Sequence, residues 1–455
     1  MTRRDFIGAA PAMVSAARLG HVRQPTPAAP KSPRTAPWRT DFPVLRQTVN
    51  GRPLAYLDSA ATTQRPDAVV DAIASFYRHH NANPSGSLHT LARRAQEQYD
   101  IARATVARFL NARDPAEIVW TRGTTEGINL VAAAWGAHNL KPGDEILLTV
   151  AEHYSNLLPW RLVAERTGAK LCYADVDDAG RVLVEEIVAR LSSRTRLVAF
   201  SHVSNVVGAI NPAAEICARA RAAGARVLID AAQSAPHIPV DVQALGCDFL
   251  ALSSHKMLGP MGVGVLWARR ELLDAMPPYQ AGSNMAHEVD FEAVEYEHGA
   301  LKFGAGTPNV SGAVGLAAAL TYLNQIGPDA IREHELAISE RMIRRLRDVP
   351  GLRLLGPTTP SEKVSVFSFV IDGHASVDIV RHVDQEGIAI RGGDLAALPL
   401  LKRFGVSTAA RASCYVYTTL DEVDRLADAL QARVIRSASR SPAACCVTSN
   451  HFVGR

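Results

Sequence analysis

The sequence has little net charge, few cysteines and no apolar run long enough to cross a bilayer. Its 455 residues carry a formal net charge of +4, which gives no argument for binding nucleic acid or an anionic membrane surface. The six cysteines show no regular framework and no pairing of CxxC units, so neither a disulfide scaffold nor a zinc site is predicted. We therefore expect no metal, no nucleic-acid partner and no membrane insertion of the mature chain.

Three segments differ in composition from the rest of the chain. Residues 1–23 begin with MTRRDFI and continue as a short Ala-rich stretch, which resembles a twin-arginine export signal. We expect a periplasmic or other extracytoplasmic location, with a cytoplasmic one as the alternative. Residues 24–40 are rich in Pro and Ala and predict a flexible linker. Residues 437–455 lack periodicity and predict a disordered tail.

Between these segments, helical and strand patterns alternate. Short apolar runs at 145–150, 196–200, 226–230 and 248–253 are typical of buried parallel strands. Helical patterns fall between them, as in a doubly wound α/β sheet. We predict a large domain over residues 41–310, whose first residues pack with a smaller α+β domain over residues 311–436. After about residue 315, the pattern predicts a long helical region to about residue 347.

A lysine follows one of the predicted strands and precedes a glycine-rich turn. Lys256 stands in SSHKMLGPMGVG, where a rigid, partly desolvated amine could hold a cofactor as a Schiff base. Asp230 ends another strand, at the edge where open α/β sheets bind ligands. Its carboxylate could pair with a pyridinium nitrogen, and Gln233 could reach the ring hydroxyl. The ordinary alternatives are a solvated loop lysine and a helix N-cap.

Almost all of the further polar candidates follow strands of the same predicted sheet. Phosphate donors could come from a group of hydroxyls and one imidazole, which are Thr124, Thr125, Ser253, His255 and Thr307. His153 could stack on a cofactor ring or handle a proton, although a structural histidine is the alternative. Arg411 could bind a substrate carboxylate through both guanidinium arms, with Asn205 nearby. Each residue is weak evidence alone, and their common position at strand ends is what favours a site.

Together these motifs resemble the fold type I pyridoxal-phosphate enzymes of aminotransferase class V, and most closely the cysteine desulfurase and selenocysteine lyase branch. The resemblance covers about residues 41–430. The matching segments are YLDSAATT (56–63), HTLARRA (89–95), RGTTEGINLVA (122–132), EH (152–153), HVSNVVG (202–208), DAAQS (230–234), SSHKMLGPMGVG (253–264), GAGTPN (304–309) and RAS (411–413).

The resemblance implies a fold, a cofactor and a role for each site residue. It implies a large domain with a mostly parallel seven-stranded sheet, pyridoxal 5'-phosphate bound to Lys256, an amino-acid substrate and a homodimer. Asp230 would pair with the ring nitrogen, Gln233 with the ring oxygen, and His153 would stack on the ring. Thr125, Ser253 and His255 would hold the phosphate, with Thr307 reaching it from the partner subunit. His89, Asn205, Arg391 and Arg411 would contact substrate.

One departure from the family pattern concerns the reaction. The desulfurase branch has R-x-G-x-x-C-A-x-P, whose cysteine takes the substrate sulfur as a persulfide. This chain has RGGDLAALP over residues 391–399, with Ala396 at the cysteine position, and a methyl group is not a nucleophile. Cys414 in a predicted strand, or Cys445 and Cys446 in the tail, are the alternative thiols.

The sequence therefore favours a β-eliminating C–S lyase acting on cysteine or a related amino acid. Three alternatives stay open. They are an epimerase similar to isopenicillin N epimerase, a desulfurase that uses another thiol, and a non-catalytic scaffold that binds the cofactor.

Overall fold

The computed structural model describes residues 36–84 and 88–438, with the side chains of residues 435–438 left out. The predicted export signal, most of the linker, the end of the tail, and Cys445 and Cys446 lie outside these ranges. At the end of the predicted linker, Trp38 packs edge-on against His334 at 5.9 Å between ring centroids. Arg39 forms an ion pair with Glu422 at 2.9 Å.

The strands are short, as the sequence pattern predicts. In chain order they are β1 (Thr48–Val49), β2 (Arg52–Pro53), β3 (Ala55–Tyr56), β4 (Ile118–Thr121), β5 (Glu145–Thr149), β6 (Lys170–Ala174), β7 (Thr195–Ser201), β8 (Arg226–Asp230), β9 (Phe249–Ser253), β10 (Gly264–Ala268), β11 (Ala286–Val289), β12 (Val294–Tyr296), β13 (Leu352–Leu355), β14 (Val366–Ile371), β15 (Ile388–Ala389), β16 (Arg391–Gly393) and β17 (Ala409–Ser413).

The helices cover both faces of the large sheet and one side of the smaller one. They are α1 (Asp67–His79), α2 (Thr90–Phe109), α3 (Thr124–Leu130), α4 (Ala137–Asn139), α5 (Leu158–Thr167), α6 (Val184–Arg190), α7 (Ala213–Ala222), α8 (Val242–Leu245), α9 (Arg270–Ala275), α10 (Val310–Ile326), α11 (Pro328–Arg347), α12 (Ser376–Gln385), α13 (Leu398–Arg403) and α14 (Leu420–Ala438). Among the described residues, no helix has both the length and the apolarity of a membrane span.

Seven strands form the large sheet in the order β4-β10-β9-β8-β7-β5-β6. Only β10 runs antiparallel to its neighbours, and the other adjacent pairs are parallel. The sheet is buried on both faces, because Val227 and Ile229 of β8 join one apolar core while Leu228 joins the other. The alternation follows from the two-residue period of a strand. The mostly parallel seven-stranded sheet, and with it the fold type I class, is confirmed.

A second sheet of four antiparallel strands has the order β13-β14-β17-β16. It packs on α11, α12 and α14 around a separate apolar core that includes Phe367 and Phe369. The early strand β3 pairs in parallel with β15, so a segment near residue 55 joins the later part of the chain.

The long helical region after residue 315 is a correction to the sequence analysis, because the structure has two helices there. The first already begins at Val310, and the two are separated at Gly327, whose φ is +87°. Only glycine adopts that backbone readily. Pro328 then starts the second helix, where its missing N–H costs nothing.

Candidate active site

A cavity of about 410 Å³ lies where β5, β7, β8 and β9 end. Eleven of the thirteen predicted site residues line it, and they are Thr124, Thr125, His153, Asn205, Asp230, Gln233, Ser253, His255, Lys256, Arg391 and Arg411. Nine of them lie at or just after the ends of β4, β5, β7, β8 and β9, which meet at one edge of the large sheet. Arg391 and Arg411 come instead from β16 and β17 of the second sheet. Their roles stay predictions, while their convergence is a feature of the structure.

Two predicted site residues do not line the cavity. His89 is exposed, and it caps α2 by accepting a hydrogen bond from the Ala92 N–H at its Nδ1, 3.2 Å away. Thr307 is exposed in the loop before α10. The predicted contact of Thr307 is with a partner subunit, so it stays a prediction.

Lys256 and Asp230 set the charge at the centre of the cavity. Burial lowers the pKa of Lys256 to about 8, and this decrease is partly offset by Asp230. Burial raises the pKa of Asp230, and the neighbouring Lys256 lowers it. The Ala232 N–H donates to the Asp230 carboxylate at 2.9 Å, which fixes its orientation. The pair thus combines a nucleophilic amine with a carboxylate that can accept a charged N–H.

Hydroxyl groups gather at one end of the cavity. Ser253 Oγ accepts a hydrogen bond from the Thr124 N–H at 2.8 Å and lies 2.8 Å from Thr124 Oγ1. Thr125 Oγ1 lies 2.7 Å from Ser155 Oγ, which sequence reasoning did not single out. These groups, with the His255 imidazole, offer the donors that a phosphate needs.

His153 is half-buried on the cavity wall, and its Nδ1 accepts from the Ser155 N–H at 3.1 Å. Burial lowers its pKa to about 4, and the nearby Lys256 and Arg411 add to the effect. The ring is therefore neutral at neutral pH, which suits a stacking group better than a charged one.

Behind His153 lies a buried carboxyl group that the sequence analysis did not assign. Glu152 accepts hydrogen bonds from Asn156 Nδ2 at 2.7 Å and from Ser201 Oγ at 2.8 Å, and Thr149 Oγ1 also donates to it. Burial raises its pKa to about 7. The only signal for this network in the sequence is a Glu three residues after the end of β5.

Two arginines also line the cavity. Arg411 is 3% exposed, and its Nη1 donates to the Asn205 carbonyl at 2.8 Å. Arg391 is more exposed, and both arginines contact Asp58, which does not line the cavity. Asp58 was not predicted as a site residue, although it stands in the matching segment YLDSAATT.

The segment that contains Ala396 forms part of the wall. Leu395 and Ala396 have φ values of +53° and +54°, a left-handed conformation that is uncommon for residues with a side chain. Three hydrogen bonds hold this segment. The Tyr154 N–H donates to the Ala396 carbonyl at 2.8 Å, and Asn205 Nδ2 donates to the Leu395 carbonyl at 2.9 Å. The Tyr154 hydroxyl donates to the carboxylate of the preceding Asp394 at 2.8 Å. The wall is thus fixed against the rest of the site.

None of the cysteines in the described residues lines the cavity. Cys414 lies just after β17, one residue beyond the strand in which it was expected, and it is buried. Burial raises the pKa of its thiol well above the ordinary value. A buried thiol with a raised pKa is a poor nucleophile.

The residues present fit a phosphorylated aldehyde cofactor. Gln233 Oε1 and Arg411 Nε are buried without a hydrogen-bond partner, and an unpartnered buried polar atom is costly unless a ligand satisfies it. The cavity supplies an amine, an opposed carboxylate and a hydroxyl cluster in one place. The described residues contain no group of three or more ligands that could hold a metal.

Comparison with known proteins decides the family. A model of aminotransferase class V matches residues 55–426. The chain belongs to this family.

Curated relatives are named as cysteine desulfurases. The chain is 47% identical over 395 residues to cysteine desulfurase from Synechococcus elongatus, covering 86% of this chain and 62% of the relative. It is 45% identical over 397 residues to a probable cysteine desulfurase from Synechocystis, covering 87% of this chain and 94% of the relative. The chain spans only 56% and 63% of two mycobacterial relatives, so it covers about six tenths of the first three.

Solved structures agree in fold. The cysteine desulfurase CsdA from Escherichia coli, in an S-sulfonic acid form, is 38% identical with a TM-score of 0.81, covering 90% of this chain and 99% of that one. A C-DES variant with glycine covalently linked to its PLP cofactor is 26% identical with a TM-score of 0.74, covering 86% and 98%. Pyridoxal 5'-phosphate is the cofactor of this cysteine desulfurase-like, class V enzyme.

Proposed function

We propose that this enzyme is a C–S lyase that eliminates the β-sulfur of cysteine or a related amino acid. With cysteine the balance is cysteine plus water giving pyruvate, ammonia and hydrogen sulfide. The observation that supports the proposal most is Ala396 on the cavity wall, in a structure whose described cysteines all lie away from the cavity. If no protein thiol accepts the sulfur, the bond between Cβ and sulfur must break so that the sulfur leaves as hydrogen sulfide.

When bound, pyridoxal phosphate withdraws electrons from the substrate Cα. Lys256 is proposed to hold the cofactor and then to accept the Cα proton, because its lowered pKa leaves a useful fraction of neutral amine. Asp230 would keep the ring nitrogen protonated. His153, neutral at working pH, would lie against the ring.

The remaining residues are proposed to position the two charged ends. Thr124, Thr125, Ser253 and His255 would hold the phosphate at the hydroxyl end of the cavity. Arg391, Arg411 and Asn205 would hold the substrate carboxylate at the opposite end. The segment at Leu395 and Ala396, which hydrogen bonds hold in place, would then exclude bulk water from the substrate Cβ without a conformational change.

Product analysis on the purified enzyme tests the proposal. With cysteine, a lyase gives pyruvate and sulfide in equal amounts and no alanine, and Lys256→Ala abolishes both products. A desulfurase that uses a tail thiol gives alanine and a persulfide, which a Cys445→Ser/Cys446→Ser double variant loses. An epimerase exchanges the α proton for deuterium in heavy water without keto acid. A scaffold shows no change of cofactor absorbance with any amino acid. Each of the last three results contradicts the proposal.

We also propose a homodimer, in which Thr307 reaches the phosphate of the partner's site, and export by the twin-arginine route. Sedimentation together with cofactor affinity in Thr307→Ala tests the first. Export is tested by fusing residues 1–40 to a reporter, with Arg3→Lys/Arg4→Lys as the control. A monomer that retains full cofactor affinity, or a reporter that stays inside the cell, would contradict the respective proposal.

A further inference from the structure

Two like charges face each other across a pair of strands. Arg391 on β16 and Arg411 on β17 are directly opposite in the antiparallel register. Like charges in that position destabilise a sheet. Arg411 is almost completely buried, and burial lowers its pKa to about 10, an effect that Asp58 opposes and Arg391 reinforces. An arrangement this unfavourable needs a compensating anion.

Asp58 supplies that anion from a third segment. It follows β3 and forms a bridge with Ser413 at the end of β17. Its carboxylate accepts from Arg391 Nε at 3.2 Å and Nη2 at 2.9 Å, and from Arg411 Nη2 at 3.4 Å. Among the described residues, it is the one carboxylate in ion-pair contact with either arginine.

The contacts leave specific N–H groups for a ligand. Arg411 uses Nη1 on the Asn205 carbonyl and Nη2 on Asp58, while its buried Nε has no partner. Arg391 uses Nε and Nη2 on Asp58. Both guanidinium groups line the cavity, whereas Asp58 stands behind them. Within the cluster of Arg391, Arg411 and Asp58, two cations and one anion leave a net charge of +1, which matches one carboxylate.

We propose that Asp58 is a positioning residue that prepares Arg391 and Arg411 to bind the single α-carboxylate of an amino acid. The inference rests on the proposed function, because it assumes that the site binds an amino acid. It adds Asp58 to the site and predicts that the three charged groups together accept one carboxylate. Asp58 sets the direction of the Arg391 fork and lets Arg411 stay charged while buried. It acts through the arginines and does not touch the substrate.

The test compares two ligands that differ in the carboxylate alone. The change in visible absorbance of the cofactor in the holoenzyme is titrated with L-alanine and with ethylamine, which lacks the carboxylate. In Asp58→Asn, we expect the dissociation constant of L-alanine to rise about tenfold, the equivalent of about 1.4 kcal/mol. That of ethylamine should change by less than about twofold. A parallel rise for both ligands, or an unchanged or lower value for L-alanine, overturns the inference.

The matched control is Asp175→Asn. Asp175 also pairs with an arginine, Arg403, at 3.1 Å, but neither residue lines the cavity. This variant removes the same charge from another ion pair, so both dissociation constants should stay at the wild-type value. A tenfold rise for L-alanine in Asp175→Asn would show that the effect is not specific to Asp58.

A second measurement needs no amino acid. Phenylglyoxal modifies accessible guanidinium groups, and the rate at Arg391 can be followed by peptide mass spectrometry. Loss of the Asp58 contact should raise that rate several-fold in Asp58→Asn, while the rate at Arg403 stays constant. An unchanged rate at Arg391 overturns the inference. If the wild-type enzyme binds no amino acid, the proposed function fails, and the Arg391 rate still decides whether Asp58 positions this arginine.

Discussion

The titration of Lys256 should control how fast the cofactor attaches to the protein. Burial lowers the pKa of this amine from 10.5 to about 8. Only the neutral amine is a nucleophile. At pH 7 the neutral fraction is then about one in eleven, whereas an ordinary lysine would have about one in 3,000. The shifted pKa is therefore worth roughly 300-fold in attachment rate at pH 7.

Stopped-flow absorbance on the cofactor-free enzyme measures this rate between pH 6 and pH 10. Dividing each rate by that of Nα-acetyl-lysine removes the titration of the cofactor itself. The ratio should be largest at low pH and should decline toward pH 10, because the protein amine saturates above about pH 8 while the free amine is still deprotonating. If the attachment rates of the protein and of Nα-acetyl-lysine rise in parallel from pH 6 to pH 10, the lowered pKa of Lys256 is refuted.

Asp230→Asn provides an internal check on the cause. Asp230 raises the pKa of Lys256, in opposition to burial. Without the carboxylate, the midpoint of the curve of attachment rate against pH should move below about pH 8. The measured quantity is this midpoint and not the amplitude of the absorbance change, because Asp230 is also proposed to bind the cofactor ring. A midpoint that moves upward would mean that the two groups do not interact with the expected sign.

The sequence was sufficient for the fold and for most of the cavity because both follow from strand ends. Asp230 ends an apolar run, and Lys256 and His153 each stand three residues after one. Parallel strands bring such positions to one edge. These inferences need only local pattern and the geometry of a parallel sheet.

The residues that were missed depend on contacts between distant segments. Asp58 and Arg391 are 333 positions apart, and nothing local in either segment predicts that they meet. Glu152 belongs to a buried network because it accepts a hydrogen bond from Ser201 at the end of β7. The break at Gly327 did have a local signal, the Gly-Pro pair at residues 327–328, which the prediction of one long helical region overlooked. The reaction stays a proposal, because the proposed lyase and a desulfurase would share the same cofactor site and differ in the side chain at position 396.

Three further perturbations test the site and the fold. Phe369 is fully buried in the core of the second sheet, so Phe369→Ala should cost about 3–5 kcal/mol of unfolding free energy in denaturant titration, whereas Val377→Ala at a half-exposed position should cost much less. Glu152 has a folded pKa of about 7, above its ordinary 4.5, so its protonated form is favoured by folding and stability from this group is lost as the pH rises from about 4.5 through 7. Glu152→Gln should therefore gain stability relative to the wild type over that window, and a constant difference would contradict the shift. Ala396→Cys should redirect products from pyruvate toward alanine with a persulfide on the new thiol, since the backbone there is already left-handed and held by Tyr154 and the substitution adds a nucleophile to the cavity wall. Ala396→Ser has nearly the same size without the thiol, so alanine formed equally by both variants would show that position 396 does not choose the reaction.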